Sequence, residues 1–165
     1  MYERPKLKLQ LSAFDKALEA SGYLCIVILW VFTLFAYFNL PDNIPTHFNL
    51  LGKPDNYGSK ISIIVLPIIA TIIFFLLTFL NKYPQVFNYA VPITEENAEQ
   101  QYTYGTRMLR FLKLAIAINF IAINMFAYLT AIGKSNGLGV WLLPFMLGLI
   151  VIPVSVFIYK SLKAK

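Results

Sequence analysis

The sequence predicts an all-α integral membrane protein, a bundle of four transmembrane helices that forms one membrane domain over residues 1–165. Hydrophobic residues make up 58% of the chain and charged residues only 13%, whereas a typical soluble domain has about 25% charged residues. The apolar residues are grouped into four blocks, each near the ~20 residues that a helix needs to cross a bilayer. The basic residues behind the net charge of +6 lie beside these blocks. At such positions they orient a chain and meet anionic lipid, so the charge does not indicate nucleic-acid binding.

The four spans divide the chain into membrane-crossing helices and connecting segments. Before the first span, Ser12 and Asp15 have the spacing of a helix capping box. Leu40 ends the first span, because the residue before a proline disfavours the helical conformation. Pro67 falls within the first two turns of the second span, where a membrane helix tolerates a kink. The predicted segments are a cytoplasmic amphipathic segment at 1–21, the first span at 22–40, a structured outer loop at 41–60, the second span at 61–80, a cytoplasmic loop and helix at 81–107, the third span at 108–132, an outer turn at 133–139, the fourth span at 140–159 and a cytoplasmic tail at 160–165.

The distribution of basic residues predicts the orientation of the chain. With four spans, both termini and the loop at 81–107 share one side of the membrane. The chain has 14 lysines and arginines. Those at the start of the third span are counted with the termini, and only Lys53, Lys60 and Lys134 then fall on the other side. The positive-inside rule therefore places both termini in the cytoplasm and the 41–60 loop outside.

The 41–60 loop most invites a functional interpretation, because it is far longer than a tight connection requires. It contains the single histidine of the chain, His47. The candidates for contacting a ligand or partner are Asp42, His47, Asn49, Asp55 and Lys60. Proline and glycine preset the backbone of turns, and the candidates for this structural role are Pro41, Pro45, Gly52, Pro54 and Gly58.

His47 allows three interpretations. It can donate to a backbone carbonyl in a packed loop, it can contact a ligand or peptide, or it can bind a metal together with Asp42 and Asp55. A catalytic zinc site normally uses three protein ligands rich in histidine, and the chain has 1 histidine and 1 cysteine. We therefore expect no metal, no cofactor and no catalytic residue.

Polar residues within the spans are few, and no ionisable residue is expected at mid-depth, which argues against an ion pathway. Asn119 and Asn124 lie in the third span and are expected to form hydrogen bonds between helices, with a polar substrate pocket as the alternative. Arg107 and Arg110 belong to the cytoplasmic face, where they are candidates for contacting a soluble partner.

Two groups of residues carry a family resemblance. In the outer loop they are Leu40-Pro41-Asp42, Ile44-Pro45, His47-Phe48-Asn49, Gly52, Pro54-Asp55 and Gly58-Ser59-Lys60, which follow the pattern LPDxIPxHFNxxGxPDxxGSK. In the second polar loop they are Tyr83-Pro84, Phe87-Asn88-Tyr89, Ile93-Thr94-Glu95-Glu96-Asn97 and Tyr102. Together they resemble the signature of the SdpI-like membrane proteins of bacteria and of a related domain of unknown function.

The resemblance implies a non-enzymatic protein of the bacterial cytoplasmic membrane. Its best-understood members protect a producing cell from its own secreted peptide toxin and signal by holding a repressor at the membrane. The partners implied are the lipid bilayer, a secreted peptide and a cytoplasmic regulator, and the oligomeric state is left open. Two alternatives remain: a small transporter or lipid-handling protein, suggested by Pro67, Pro144 and Pro153, and a metal-dependent enzyme at the outer face around His47.

Overall fold

The computed structural model describes residues 4–164, and the fold is mostly helical. The elements are α1 (Ala13–Asn39), β1 (Asn43–Phe48), β2 (Pro54–Ser59), a 3-10 helix (Lys60–Ile64), α2 (Val65–Leu80), a second 3-10 helix (Pro84–Val86), α3 (Ala98–Ala131) and α4 (Leu142–Lys163). Within the described part of the chain, 4 helices are long and apolar enough to cross a membrane. These are the helices expected of a multi-pass membrane protein.

Successive helices run in opposite directions and define two ends of the molecule. We call the end with residues 4–12, 81–97 and 160–164 the terminal end, and the opposite end the hairpin end. The helix α3 has 34 residues, a length of about 50 Å at 1.5 Å per residue. Because the hydrocarbon core of a bilayer is only ~30 Å thick, α3 is long enough to extend beyond it.

The helix α1 begins with the capping box that the sequence predicts. Ser12 Oγ accepts a hydrogen bond from the backbone N–H of Asp15 at 3.1 Å, and the Asp15 carboxylate accepts one from the Ser12 N–H at 3.2 Å. The helix then continues without a break to Asn39. The helical part of the amphipathic segment predicted at 1–21 begins at Ala13 and belongs to α1, residues 4–12 form no regular element, and residues 1–3 lie outside the described residues.

The helix α3 lies at the centre of the fold and contacts α1, α2 and α4, whereas α4 packs mainly on α3. Small buried residues on α3, including Ala115, Ala117 and Ala127, let the neighbouring backbones approach closely. The core between α1, α2 and α3 includes Leu29 and Phe74. The bundle is thus three helices packed on one another with α4 alongside, because α4 buries only a few residues.

Large apolar side chains cover the outer faces of the helices. Val31 on α1 is 63% exposed, Leu76 on α2 is 62% exposed and Ile152 on α4 is 65% exposed. Large apolar side chains exposed along several helices are unusual on soluble monomers. It is consistent with association of the helices with a lipid bilayer.

The loop expected at 41–60 is a β-hairpin, so the all-α prediction is wrong for this segment. The strands β1 and β2 form a 2-stranded antiparallel sheet in which Ile44 faces Gly58 and Pro45 faces Tyr57. A proline is tolerated because each strand of a two-stranded sheet has a free edge. Ile44 is only 1% exposed and packs against Ala36 and Leu40, which fixes the hairpin to α1.

The tip of the hairpin docks on the turn at 133–139. The Leu138 N–H donates to the Gly52 carbonyl at 2.7 Å. Gly52 has a φ of 72°, and a Cβ there would lie 2.8 Å from the Gly139 backbone nitrogen. A Cβ at Gly137 would overlap the Gly52 carbonyl oxygen. Glycine is required at this contact by the positive φ and by the closeness of the two backbones.

Candidate functional site

The exposed face of the hairpin carries a histidine–aspartate pair that joins its two strands. His47 Nδ1 on β1 lies 2.5 Å from Asp55 Oδ1 on β2, and the two side chains are 67% and 42% exposed. The partner of His47 in the structure is therefore the Asp55 carboxylate and not a backbone carbonyl. Both groups remain open to solvent, so this pair can contact an incoming ligand.

Asp42 and Lys60 form a separate pair at the base of the hairpin. Lys60 Nζ lies 2.9 Å from Asp42 Oδ1, and the backbone N–H of Lys60 donates to the Asp42 carbonyl at 2.9 Å. The Lys60 ammonium also lies 5.7 Å from the centre of the Tyr37 ring. Asp42 and Lys60 thus connect the two ends of the hairpin to each other.

Asn49 has a structural role in the turn of the hairpin. Its Oδ1 accepts hydrogen bonds from the backbone N–H groups of Leu51 at 2.9 Å and Lys53 at 3.1 Å, as asparagine does in Asx turns. The proline and glycine candidates lie along the same hairpin, and Gly58 leaves room for Thr46, whose Cγ2 would be 3.1 Å from a Cβ at that position.

The structure gathers too few ligands for a metal site around His47. Among residues 4–164 there is no group of three or more histidine, cysteine, aspartate or glutamate side chains that could hold a metal ion. Asp42, which the sequence suggests as a further ligand, is paired with Lys60.

An apolar cavity of about 220 Å³ lies between the hairpin tip and the helices α3 and α4, and its lining includes Phe48, Ile123 and Met146. Beside it, the tip residue Leu50 is 87% exposed and Trp141 before α4 is 80% exposed. Tryptophan is enriched at membrane interfaces. The hairpin end therefore offers an apolar surface next to the exposed His47–Asp55 pair.

The two asparagines of α3 contact different helices. Asn124 Nδ2 donates to Thr33 Oγ1 on α1 at 2.7 Å, and Asn119 Nδ2 donates to the Met146 carbonyl on α4 at 3.3 Å. The amide oxygens of both residues are buried without a hydrogen-bond partner in the described part of the chain. The two side chains thus connect α3 to its neighbours at separate places and do not converge on one pocket.

Sequence reasoning missed a cluster of ion pairs between α1 and α3 near the terminal end. Arg107 Nε and Nη2 donate to the two carboxylate oxygens of Asp15 at 2.7 and 2.9 Å. This bidentate geometry is the strongest that an arginine and a carboxylate form. The Asp15 side chain is only 4% exposed, so this pair is a structural connection between the two helices.

The second part of this cluster surrounds Glu19, one helical turn after Asp15. Lys113 Nζ lies 2.5 Å from Glu19 Oε1 and donates to Thr78 Oγ1 on α2 at 2.9 Å. Arg110 Nε lies 3.3 Å from Glu19 Oε2. The Lys113 side chain is 1% exposed, so a lysine predicted to flank the membrane is instead buried among three helices.

Arg107 and Arg110 present little surface to a soluble partner. Their side chains are 25% and 8% exposed. A signal for this arrangement exists in the sequence. Asp15 and Glu19 are four residues apart and therefore share one face of α1. Arg107, Arg110 and Lys113 are spaced by three residues and share one face of α3.

The second polar loop contacts the N-terminal segment. Arg4 Nη1 donates to the carbonyls of Gln85 at 3.1 Å and Phe87 at 2.7 Å. The Tyr89 hydroxyl donates to the Pro84 carbonyl at 2.9 Å, and burial raises the pKa of this phenol, which keeps the donor protonated. The motif residues of this loop therefore hold residues 4–10 against the terminal end.

Comparison with known proteins gives similarities over part of this chain. Residues 24–71 match a domain of unknown function (DUF1648). This stretch covers most of α1, the hairpin and the start of α2. It is the part of the chain in which the 40–60 pattern occurs.

An uncharacterized protein of Archaeoglobus fulgidus is 37% identical over 81 residues, which are 44% of this chain and 44% of that protein. The chain thus spans less than half the length of this relative. No solved structure matches. These relationships indicate a membrane protein with a domain of unknown function. The SdpI-like family and a bacterial source remain predictions.

Proposed function

We propose that this chain is a non-enzymatic membrane protein of the SdpI-like immunity and signalling type, whose hairpin contacts a secreted peptide or covers the site where that peptide acts. The observation that carries the proposal is the docked hairpin. It joins an exposed His47–Asp55 pair to an apolar tip at Leu50 and Leu51, which are 87% and 60% exposed. A polar contact beside an apolar surface suits an amphipathic peptide arriving at a membrane.

The exposure of the pair favours recognition over a purely structural role. Ion pairs between exposed side chains contribute about 0–1 kcal/mol to stability. The hairpin is instead anchored by buried Ile44 and by the backbone contact of Gly52 with Leu138. We therefore expect the fold to be kept when His47 or Asp55 is replaced, so the two substitutions test the proposal.

The test is protection of sensitive cells from a panel of secreted peptide toxins. His47→Ala and Asp55→Ala are compared with the unaltered protein and with Asn43→Ala, an exposed position on β1, and membrane levels are measured for each. We expect the unaltered protein and Asn43→Ala to protect, and the other two variants to lose protection at equal protein levels. Equal killing across the panel with and without the unaltered protein would contradict the proposal.

In this proposal the hairpin lies outside the cell and both termini lie in the cytoplasm of a bacterial cell. A cytoplasmic regulator would then meet the terminal end. Since Arg107 and Arg110 are held by α1 carboxylates, they would act by positioning α1 against α3. Direct contact with the regulator would fall to exposed residues such as Lys82.

The alternative of a small lipid-handling protein is favoured by one observation. An apolar cavity of about 340 Å³ lies between α3, α4 and the loop at 81–97, with Phe87, Met108 and Phe157 in its lining. Filling it with Met108→Trp would block lipid movement in reconstituted vesicles and leave peptide protection unchanged. If the unaltered protein moves no lipid in this assay, the function is excluded.

The third function, a metal-dependent enzyme at the outer face, would use His47 and Asp55. Two ligands are fewer than the three protein ligands of a catalytic zinc site. Metal that stays bound to the purified protein and is lost in His47→Ala would favour it.

A further inference from the structure

A basic cavity of about 610 Å³ opens at the terminal end, between the ion-pair cluster and the second polar loop. Its walls are residues 6–9, Leu11, residues 81–85 and the α3 residues Thr106 and Arg110. The lining contains no acidic residue. It contains four cationic residues, which are Lys6, Lys8, Lys82 and Arg110. The position and the charge of this cavity both favour an anionic ligand.

Arg110 is the least exposed of these four cations. Its side chain is 8% exposed, and its Nε is buried with no hydrogen-bond partner among residues 4–164. The distance of 3.3 Å to Glu19 Oε2 places the two charges close together, but the geometry does not form a hydrogen bond. A buried N–H group without an acceptor is unfavourable, because it has lost its hydrogen bond to water.

The surrounding carboxylates are already engaged by other cations. Asp15 accepts two hydrogen bonds from Arg107, and Glu19 accepts one from Lys113 at 2.5 Å. Three cations and two carboxylates leave one positive charge in excess, and the cations that donate hydrogen bonds to these carboxylates are Arg107 and Lys113. An anion in the adjoining cavity would balance that charge by accepting hydrogen bonds from the part of Arg110 that lines the cavity.

Asn81 gives a second unsatisfied group on the same wall. Its Oδ1 is buried without a partner, and the residue lines the cavity. The amide of Asn81 also carries an NH₂ group, which would donate to an anion bound at Arg110.

We propose that this cavity binds the phosphate group of an anionic phospholipid. Arginine matches a phosphate with two parallel N–H···O bonds, and basic pockets at the ends of membrane helices suit lipid headgroups. The lipid is favoured over a free anion because the lining also contains Leu7 and Leu11. Each of these leucines is 39% exposed, so apolar surface for acyl chains lies beside the cations.

The test uses the full-length protein in detergent with phosphatidylglycerol and phosphatidylcholine of identical acyl chains, and lipid retention is read by native mass spectrometry. The variants are Arg110→Gln and the pair Lys8→Gln with Lys82→Gln. Lys16→Gln is the matched control, since Lys16 is exposed at the same end and does not line the cavity. The two surface lysines keep the test decisive if Arg110→Gln fails to fold.

We expect phosphatidylglycerol to be retained in preference to phosphatidylcholine. Arg110→Gln should weaken retention about tenfold, ~1.4 kcal/mol, and the lysine pair about fivefold or more. Lys16→Gln should leave retention unchanged. An equal loss in Lys16→Gln, or a preference that survives both other variants, would overturn the proposal.

A measurement with inorganic phosphate distinguishes a lipid headgroup from a free anion as the ligand. If phosphate alone raises the thermal stability of the unaltered protein through Arg110, and the two lipids bind equally, the site takes a soluble anion and the lipid assignment is wrong. Retention of phosphatidylglycerol in the presence of inorganic phosphate supports the lipid. This result is independent of peptide protection, so either proposal can fail alone.

Discussion

Replacing Gly52 by alanine should separate the hairpin from the turn at 133–139 while leaving the helices intact. The new Cβ would lie 2.8 Å from both the nitrogen and the oxygen of Gly139, and both are backbone atoms that cannot rotate away. Gly133 offers a matched control, because its φ of 73° is nearly the same and nothing lies within 4 Å of a Cβ there.

The structure gives a magnitude for each substitution. A left-handed backbone conformation costs an alanine about 1 kcal/mol relative to glycine, and this term applies to both variants. In Gly52→Ala the backbones must also move apart, which weakens the 2.7 Å hydrogen bond from the Leu138 N–H by about 1 kcal/mol. We therefore expect the free energy of local opening to fall by about 2 kcal/mol in Gly52→Ala and by about 1 kcal/mol in Gly133→Ala.

Hydrogen exchange of the Leu138 amide is the direct assay, because exchange reports the free energy of local opening. A loss of about 2 kcal/mol accelerates exchange roughly thirtyfold, and a loss of about 1 kcal/mol roughly fivefold. Equal acceleration in Gly52→Ala and Gly133→Ala would refute the close backbone contact. Unchanged exchange of amides within α3 serves as the control for global unfolding.

Three further predictions concern the helices. Glu19→Gln should lower the free energy of unfolding by about 3 kcal/mol, because it leaves the buried Lys113 ammonium unpaired; chemical denaturation in detergent measures this, and a change below 1 kcal/mol would contradict it. Asn124→Ala removes the hydrogen bond to Thr33 and should cost about 0.6 kcal/mol, with a much larger loss showing that packing dominates at that site. Ser12→Ala removes the helix cap and should cost about 1 kcal/mol, seen as faster exchange in the first turn of α1 alone.

The helices could be predicted because each is a block of apolar residues with a recognisable limit. Ser12 begins α1 through its capping box, and Leu40 before Pro41 ends it in an extended conformation. Their arrangement could not be predicted in the same way. The central position of α3 depends on contacts between residues that are far apart in the sequence.

The hairpin was missed because its sequence lacks the usual signs of a strand. Pro45 removes a backbone donor, and the stretch does not alternate between polar and apolar residues. The hairpin forms because buried Ile44 packs on α1 and Gly52 meets the turn at 133–139. Both contacts are tertiary, so the loop sequence alone does not reveal them.

The ion-pair cluster was missed for a different reason. Arg107, Arg110 and Lys113 were counted as charges flanking the membrane, which is the usual place for basic residues. Their partners Asp15 and Glu19 are more than ninety residues away in the chain. Regular spacing on each helix shows that the charges share a face, but it does not show which faces meet.

The most direct measurement for the proposed function is the side of the membrane on which the hairpin lies. In a Cys25→Ser background, Tyr57→Cys on β2 and Lys163→Cys at the end of α4 are treated with a membrane-impermeant maleimide. The account predicts labelling of the Tyr57→Cys variant in intact cells and of the Lys163→Cys variant only after permeabilisation. The reverse pattern would place the hairpin in the cytoplasm and contradict a role in contacting a secreted peptide.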